Sequence, residues 1–366
     1  LLGYPGTDGL IPELPGIVAA AHAAGARVIV QTDLLALMLL QSPGALGADL
    51  AIGSSQRFGI PMGYGGPHAA FLAVAEEHRR RMPGRIVGVS RDRAGRRALR
   101  LALQTREQHI RRSGATSNIC TAQVLLAVMA SMYAVYHGPE RLRAMAERSA
   151  GSAEHLALAL RRAGYAVPGE ARFDTVVVKT GDRTEALIRA AREAGFNLRR
   201  FSADAIGIST DETVSDSEIA ALLGVFGAEQ AELANGGETR NATSRFPDWA
   251  VRHDPGLLHP IFRRYHSETE FERYVHRLER KDVSLLDSMI PLGSCTMKLN
   301  PAATLEPLSW PEFGQLHPYA PEDQAQGYAE LASELSAWLG EITGLPAVSL
   351  QPNSGAQGEY AGLLAI

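Results

Sequence analysis

Apolar and polar positions switch between a helical and a strand period along the first part of the chain. Leu14 to Ala24 carries its apolar residues at helical spacing and is closed by Gly25, which predicts a helix. Ala26 to Gln31 (ARVIVQ) predicts a buried strand, and Asp33 to Leu40 returns to helical spacing. Asp49 to Gly53 and Ala69 to Val74 predict two further strands. Strands alternating with helices imply a mostly parallel sheet joined by right-handed crossovers. Functional groups in such sheets gather at the carboxyl ends of the strands. Asp33 and the loop from Ser54 to Gly66 occupy those positions.

The pattern then changes twice. Residues 119–165 read as helical, first an Ala-rich apolar stretch and then Pro139 to Ala163. A smaller α/β unit follows, with strands expected at Thr175–Lys179, Phe196–Arg200 and Ala205–Ser209, and helices at Arg183–Ala194 and Ser215–Phe226. Residues 228–255 are rich in Ala, Gly, Asn, Thr and Pro and read as a linker. Beyond it, Pro260 to Lys281 is mostly charged helix, Tyr328 to Thr343 another helix, and Ala347 to Gln351 a strand running into Pro352-Asn353-Ser354-Gly355 and a new helix. The expected division is therefore the end of a large domain at 1–145, a small α/β domain at 146–228, a linker at 229–255, and at 256–366 the start of a second unit similar to the first. Leu1-Leu2-Gly3-Tyr4 reads as the middle of an α/β protein, and Tyr360 to Ile366 as an apolar helix without a cap, so an internal fragment is expected.

Composition narrows the function classes. The chain has 366 residues, of which 45% are hydrophobic and 21% charged, with a net charge of −4; that excludes a basic polynucleotide binder and gives no membrane-surface signature. Arg79-Arg80-Arg81 and Arg111-Arg112 read as solvated faces or anion contacts rather than a polynucleotide track. No apolar run reaches membrane-spanning length. The two cysteines, Cys120 and Cys295, form no CxxC, and the histidines form no HExxH or paired HxH, so no metal site and no disulfide framework are expected.

Three segments carry candidate chemistry. Asn353-Ser354-Gly355-Ala356-Gln357-Gly358 is a small-residue turn opening a helix. Helix N-termini present unpaired N–H groups at a partial positive pole, small side chains let a phosphate approach, and a serine hydroxyl adds a donor. The plain alternative is a helix N-cap at Ser354. The second segment, Gly53 to Pro67, is a Gly-rich loop after a strand; the alternative is a tight connection that uses its glycines for backbone freedom. The third is Ile290-Pro291-Leu292-Gly293-Ser294-Cys295-Thr296-Met297-Lys298-Leu299-Asn300, whose alternative is a buried loop satisfied by its own hydroxyls.

Five strings, GSSQRFGIPMGYGGPHAAF, TREQHIRR, RYHSETEFERYVHRLERKD, IPLGSCTMKLNP and QPNSGAQGEYAGLLAI, resemble the glycine cleavage system P-protein family in wording and order, over essentially the whole chain from Asp33 to Ile366. The resemblance implies the α/β fold of the pyridoxal-phosphate-dependent aspartate-aminotransferase superfamily (fold type I). It also implies a chain of two homologous halves of which only the second holds the cofactor. Ser354, Gly355, Ala356 and Gln357 match the family segment that cradles the pyridoxal 5'-phosphate. Ser294, Cys295 and Thr296, and with them His266 of the RYHSETEF string, match segments in the vicinity of the active site. In the first half, Asp33 stands where the fold places the carboxylate for the pyridine nitrogen. Gln56 stands where the catalytic half has its Schiff-base lysine, in a His-Lys-Thr-Phe-Cys-Ile-Pro context, and a carboxamide cannot take that role.

The chain's three lysines are Lys179, which ends a small-domain strand, Lys281, in a charged helix, and Lys298, in a loop that precedes the phosphate cradle and lacks a strand-end setting; none reads as a Schiff-base lysine. The fragment is thus expected to hold no catalytic residue of its own and to be inactive as it stands, with the lysine beyond Ile366. What the resemblance implies for the full-length protein is glycine decarboxylation with transfer of the aminomethyl group to the lipoyl arm of H-protein. A homodimer, and a bacterial cytoplasm or a mitochondrial matrix, are implied with it. The alternative is a non-catalytic subunit or scaffold half of the same system. In the full-length enzyme, residues 53–67 and 104–118 of the first half are expected to pack against the catalytic half and to help shape the entrance for the lipoyl arm.

Overall fold

The computed structural model describes residues 1–84, 86–103, 108–115, 123–228, 243, 245–281, 283–284, 286–287 and 301–366. The chain divides into two compact units: Leu1–Ile60 with Ala70–Ala73 and Ala127–Tyr274, and Pro61–Ala69 with Val74–Leu126 and Val275–Ile366.

The first unit is built on a sheet of order β1-β2-β3-β4, from Leu2–Tyr4, Ile29–Thr32, Leu50–Ser54 and Ala70–Val74. β1 pairs with β2, and β2 with β3, in parallel, as the alternation of elements predicts. Helix α1 (Leu14–Ala23) makes the first crossover; the Glu13 side chain accepts the Gly16 N–H at its start, and Gly25 leaves it with φ +74°. The expected helix at 33–40 shrinks to one 3₁₀ turn over Ala36–Met38, because Asp33 Oδ1 takes the N–H groups of Leu35 (2.6 Å) and Ala36 (3.1 Å) and holds the segment in a turn. The expected strand at 26–31 pairs over Ile29–Thr32.

Buried Asp49 anchors the sheet to α1. It accepts the Val28 N–H at 2.7 Å, His22 Nε2 at 2.9 Å and Arg27 Nη1 at 2.9 Å. The Val28 N–H first, then His22, hold its carboxyl far below the ordinary range against the opposing effect of burial. A carboxyl depressed by folding adds stability that is complete above its unfolded value near 4 and is lost as pH falls below it. Thermal melts across pH 7 to 3 are expected to show a shallower acid limb for Asp49→Asn than for the wild type, on a lower plateau; parallel limbs would disprove this role.

Helix α3 (Val124–Arg162) follows a short helical turn, α2 (Gln108–Arg111), and breaks at Gly138 (φ +68°) before Pro139. Pro139 can open the second segment but lacks the N–H to continue the first. Ala130, Ala134, Leu142, Ala146 and Ala150 on this helix join Tyr4, Leu14, Val30, Leu39, Phe173, Phe246 and Ala250 in the first hydrophobic core. Ala153, Leu156, Ala157 and Leu160 belong to a second core, completed by β7 (Thr175–Lys179), α4 (Thr184–Glu193), β9 (Ala205–Ser209) and α5 (Asp216–Val225). Its antiparallel sheet runs β7-β9-β8, with β8 at Arg199–Ser202, three residues later than the strand expected from Phe196. Ser215 and Glu218 form a capping box on α5. Of the segment read as a linker, the described part does more than connect: Phe246 and Ala250 are buried, and Gln41 N donates to Ala250 O.

The second unit contains an antiparallel hairpin, β5 (Ile86–Arg91) and β6 (Arg97–Ala102), turned by Asp92. Around Tyr64, the Tyr64 N–H donates to Leu316 O (2.8 Å) and the ring stacks on Tyr328 at 4.7 Å. The short helix α7 (Pro311–Gly314) supplies Phe313 O to the Tyr328 hydroxyl at 2.9 Å. In place of the long charged helix expected at 260–281 there is a 3₁₀ turn at Pro260–Arg263 and α6 at Glu268–Glu279. α8 (Gln326–Thr343) ends at left-handed Gly344, and α9 spans Gly355–Ala365. The expected strand Ala347–Gln351 forms no pairing, because no strand among the described residues offers it an edge.

Candidate functional site

Parallel pairing places the carboxyl ends of β2 and β3 side by side, so Asp33 and the segment Ser55-Gln56-Arg57 emerge next to each other. Gln56 is half-buried; its N–H meets Ser54 Oγ at 3.1 Å and its carbonyl accepts Ile60 N–H at 3.0 Å. Asp33 divides its carboxylate. Oδ1 caps the 3₁₀ turn, and Oδ2 receives Arg57 Nη1 at 3.1 Å.

The same Arg57 Nη1 donates to Asp174 Oδ2 at 2.6 Å, and the guanidinium lies 5.7 Å from the centroid of buried Phe173. Asp174 precedes β7, so one nitrogen ties the first sheet to the strand that opens the second core. The side chains of Asp33, Arg57 and Asp174 are between 17% and 29% exposed, too enclosed for solvent to screen them fully. Burial works against the Arg57 charge, yet the carboxylates of Asp33 and Asp174 outweigh it and raise the guanidinium above its ordinary value. Burial likewise pushes the Asp174 carboxyl up, against the pull of Arg57. Arginine stays protonated throughout, so the cluster is a cation held between two acids.

The loop is buttressed from α3. Tyr133 packs its ring 5.9 Å from Phe58 and 4.3 Å from His137. Burial first, then the Glu212 carboxylate, raises the Tyr133 phenol. Burial, then Arg141 and His266, lowers His137. His266, a candidate from the sequence, sits at the break in α3: its Nδ1–H donates to Tyr136 O at 2.8 Å and supplies the carbonyl with the partner that the interrupted helix cannot.

In the second unit, Ser354 Oγ accepts the Gln357 N–H at 3.2 Å, and Gln357 Oε1 turns back to the Asn353 N–H at 2.8 Å. This is the helix N-cap geometry that the plain alternative predicts. It leaves the Gly355 and Ala356 N–H groups at the positive pole without intrahelical acceptors. A Cβ at Gly355 or at Gly358 would meet nothing within 4 Å, so the turn is open to an approaching anion. Lys179 ends β7 in the antiparallel sheet and pairs with Asp204 at 3.2 Å in an exposed position, and exposed Lys281 follows α6; neither stands at the carboxyl end of a parallel strand. Ser294, Cys295, Thr296 and Lys298 lie outside the described residues.

Arg57, Asp174 and Tyr133 escaped the sequence reading. A signal for Arg57 was present, since a charged residue between Gln56 and Phe58 in a loop of small and apolar residues must find a counter-charge. Its second acid, 117 positions away, gave none.

The family model described as "Glycine cleavage system P-protein" matches residues 1–226. A protein of Thermosynechococcus vestitus named glycine dehydrogenase (decarboxylating) is 57% identical over 367 residues, covering 100% of this chain and 38% of the relative. Proteins of the same name from Cereibacter sphaeroides and Photobacterium profundum are 55% and 52% identical with the same coverage. The chain therefore spans about 38% of the length of the curated relatives it matches. A crystal structure described as glycine decarboxylase (P-protein) of the glycine cleavage system, in inhibitor-bound form, matches with a TM-score of 0.56 and 37% identity over 61% of this chain and 53% of that one.

Proposed function

Because the chain belongs to the glycine cleavage system P-protein family, we propose that the full-length polypeptide decarboxylates glycine and passes the remaining aminomethyl group to the lipoyl arm of H-protein. The observation that carries this reading is the 57% identity extending across the whole chain, both units included. One bond to carbon breaks as CO2 leaves; a new carbon–sulfur bond forms as the lipoyl disulfide opens, and its other sulfur becomes a thiol. Pyridoxal phosphate, when bound, supplies the electron sink that such a decarboxylation needs.

The residues of this chain divide the work unequally. In the second unit, Ser354, Gly355, Ala356 and Gln357 would hold the cofactor phosphate, with backbone N–H groups and the partial positive charge at the head of α9. Ser294, Cys295 and Thr296 belong to the same active-site region by family resemblance. In the first unit the cofactor does not fit: Gln56 offers no amine, and Asp33 is already paired with Arg57. That half is proposed to support the catalytic one within a homodimer of full-length chains in the bacterial cytoplasm. The proposed boundaries are 1–145 and 146–228 for the two domains of the first half, 229–255 for the connection and 256–366 for the start of the second half. No helix among the described residues is long and apolar enough to cross a membrane.

Ser354 gives the test, because capping and phosphate binding separate there. In the full-length protein, Ser354→Ala is expected to weaken pyridoxal phosphate binding by about 1–3 kcal/mol through loss of a charge-assisted hydrogen bond. Ser354→Asp keeps the cap but faces the phosphate with a negative charge, and is expected to bind the cofactor more weakly still at unchanged thermal stability. Exchange of labelled bicarbonate into glycine, with lipoylated H-protein added, should fall with cofactor occupancy in both. Full affinity in Ser354→Asp would reject the phosphate assignment; no exchange in the saturated wild type would reject the activity.

A further inference from the structure

The sequence reading leaves the first-half pocket merely vacated: a glutamine replaces a lysine and the chemistry is gone. The side chains show something more definite. Arg57 comes from the loop after β3 and touches three groups, Asp33 at the end of β2, Phe173, and Asp174 at the start of β7. It joins the parallel sheet to the strand that enters the second core. Two further atoms belong to the same cluster. Arg57 Nη2 and Glu212 Oε2 are buried without hydrogen-bond partners, and the Glu212 charge reaches both Arg57 and Tyr133. Glu212 follows β9, so the second core presents two acids, Asp174 and Glu212, toward one cation from the first sheet.

We infer that this cleft is self-liganded: Arg57 supplies from within the chain the cation that Asp33 faces, and by drawing Asp174 across it holds the small α/β layer closed on the parallel sheet. A cofactor-bearing relative of this fold needs its cleft to admit and release a ligand. A bridge made of the chain's own residues needs no ligand to form, so it can hold this cleft in one arrangement with no ligand bound. Arg57 is thus a positioning residue. It gives the first half the rigid shape that its supporting role calls for, and it supplies the counter-charge of Asp33 Oδ2, the carboxylate oxygen that the 3₁₀ turn does not use.

The test is hydrogen exchange on the full-length polypeptide with three substitutions. Arg57→Met removes the charge at similar length. Exchange is expected to rise roughly 10–100-fold at both anchor points together, residues 33–38 and 173–178, as a partly buried ionic bridge is lost. Arg57→Lys reaches one carboxylate at a time and should restore part of the protection. Asp174→Asn should raise exchange at residues 33–38, which it does not touch, and should add nothing further when combined with Arg57→Met. A rise confined to residues 54–60, or effects of Arg57→Met and Asp174→Asn that simply add, would overturn the inference. If Arg57→Met does not fold, the Arg57→Lys and Asp174→Asn pair carries the same comparison. None of these readings depends on glycine turnover, so they stand or fall apart from the proposed activity.

Discussion

Gly53→Ala is expected to force apart the carboxyl ends of β2 and β3 and to cost about 3–5 kcal/mol, at the upper end for a single added methyl. Gly53 is the fourth residue of β3, and its neighbour across the ladder is so close that a Cβ there would lie 2.3 Å from the Thr32 carbonyl oxygen and 2.7 Å from Phe71 Cε1. The first of these is backbone and cannot rotate away. Relief requires the strands to separate at the point where Asp33 and Arg57 emerge, so loss of stability and loss of the Arg57 bridge should arrive together. Gly44→Ala is the control: its Cβ meets nothing within 4 Å, and the change should be near neutral. Urea denaturation midpoints for the two variants decide the matter; comparable values would mean that the sheet yields at Gly53 without cost.

Gly138→Ala should be of similar size, about 3–5 kcal/mol, for two reasons that add. The residue has φ +68°, which an L side chain adopts at a cost, and its Cβ would lie 2.6 Å from Phe262 O and 2.5 Å from His266 Cε1. His266 would be driven from Tyr136 O, leaving a carbonyl at the helix break without its donor. The effect should then travel along α3 to His137 and Tyr133, which support Phe58. His266→Ala removes the donor alone and is expected to cost less, about 1–2 kcal/mol. A Gly138→Ala variant as stable as His266→Ala would show that backbone strain at the break is negligible.

What the sequence revealed and what it hid follow from the range of the interactions. Strands β2, β3, β7 and β9 were legible because each is a short apolar run ended by a polar or glycine residue. The helix expected at 33–40 failed because one side chain, Asp33, competes with the backbone for the same N–H groups. The strand at 347–351 failed because a strand is a property of two segments, and none of the described strands pairs with it. At the site, placing Asp33 and Gln56 together needed only the order of parallel strands. The meaning of Arg57 needed Asp174, and no local pattern links residues that far apart in the chain.

The division of α3 between two cores also sets an order of events during synthesis. The second core is gathered from Ala153 to Ala228, one uninterrupted stretch of chain. The first core begins at Tyr4 but is not complete until Phe246 and Ala250 have been added. The later-encoded lobe can therefore close first on the ribosome, while the earlier one waits. At about 5–20 residues per second, the apolar strands β1 to β3 are exposed for roughly 10–40 s before their last packing partners leave the exit tunnel. Through that interval the parallel sheet, rather than the compact lobe that follows it, is the part of the chain whose apolar surface waits for cover.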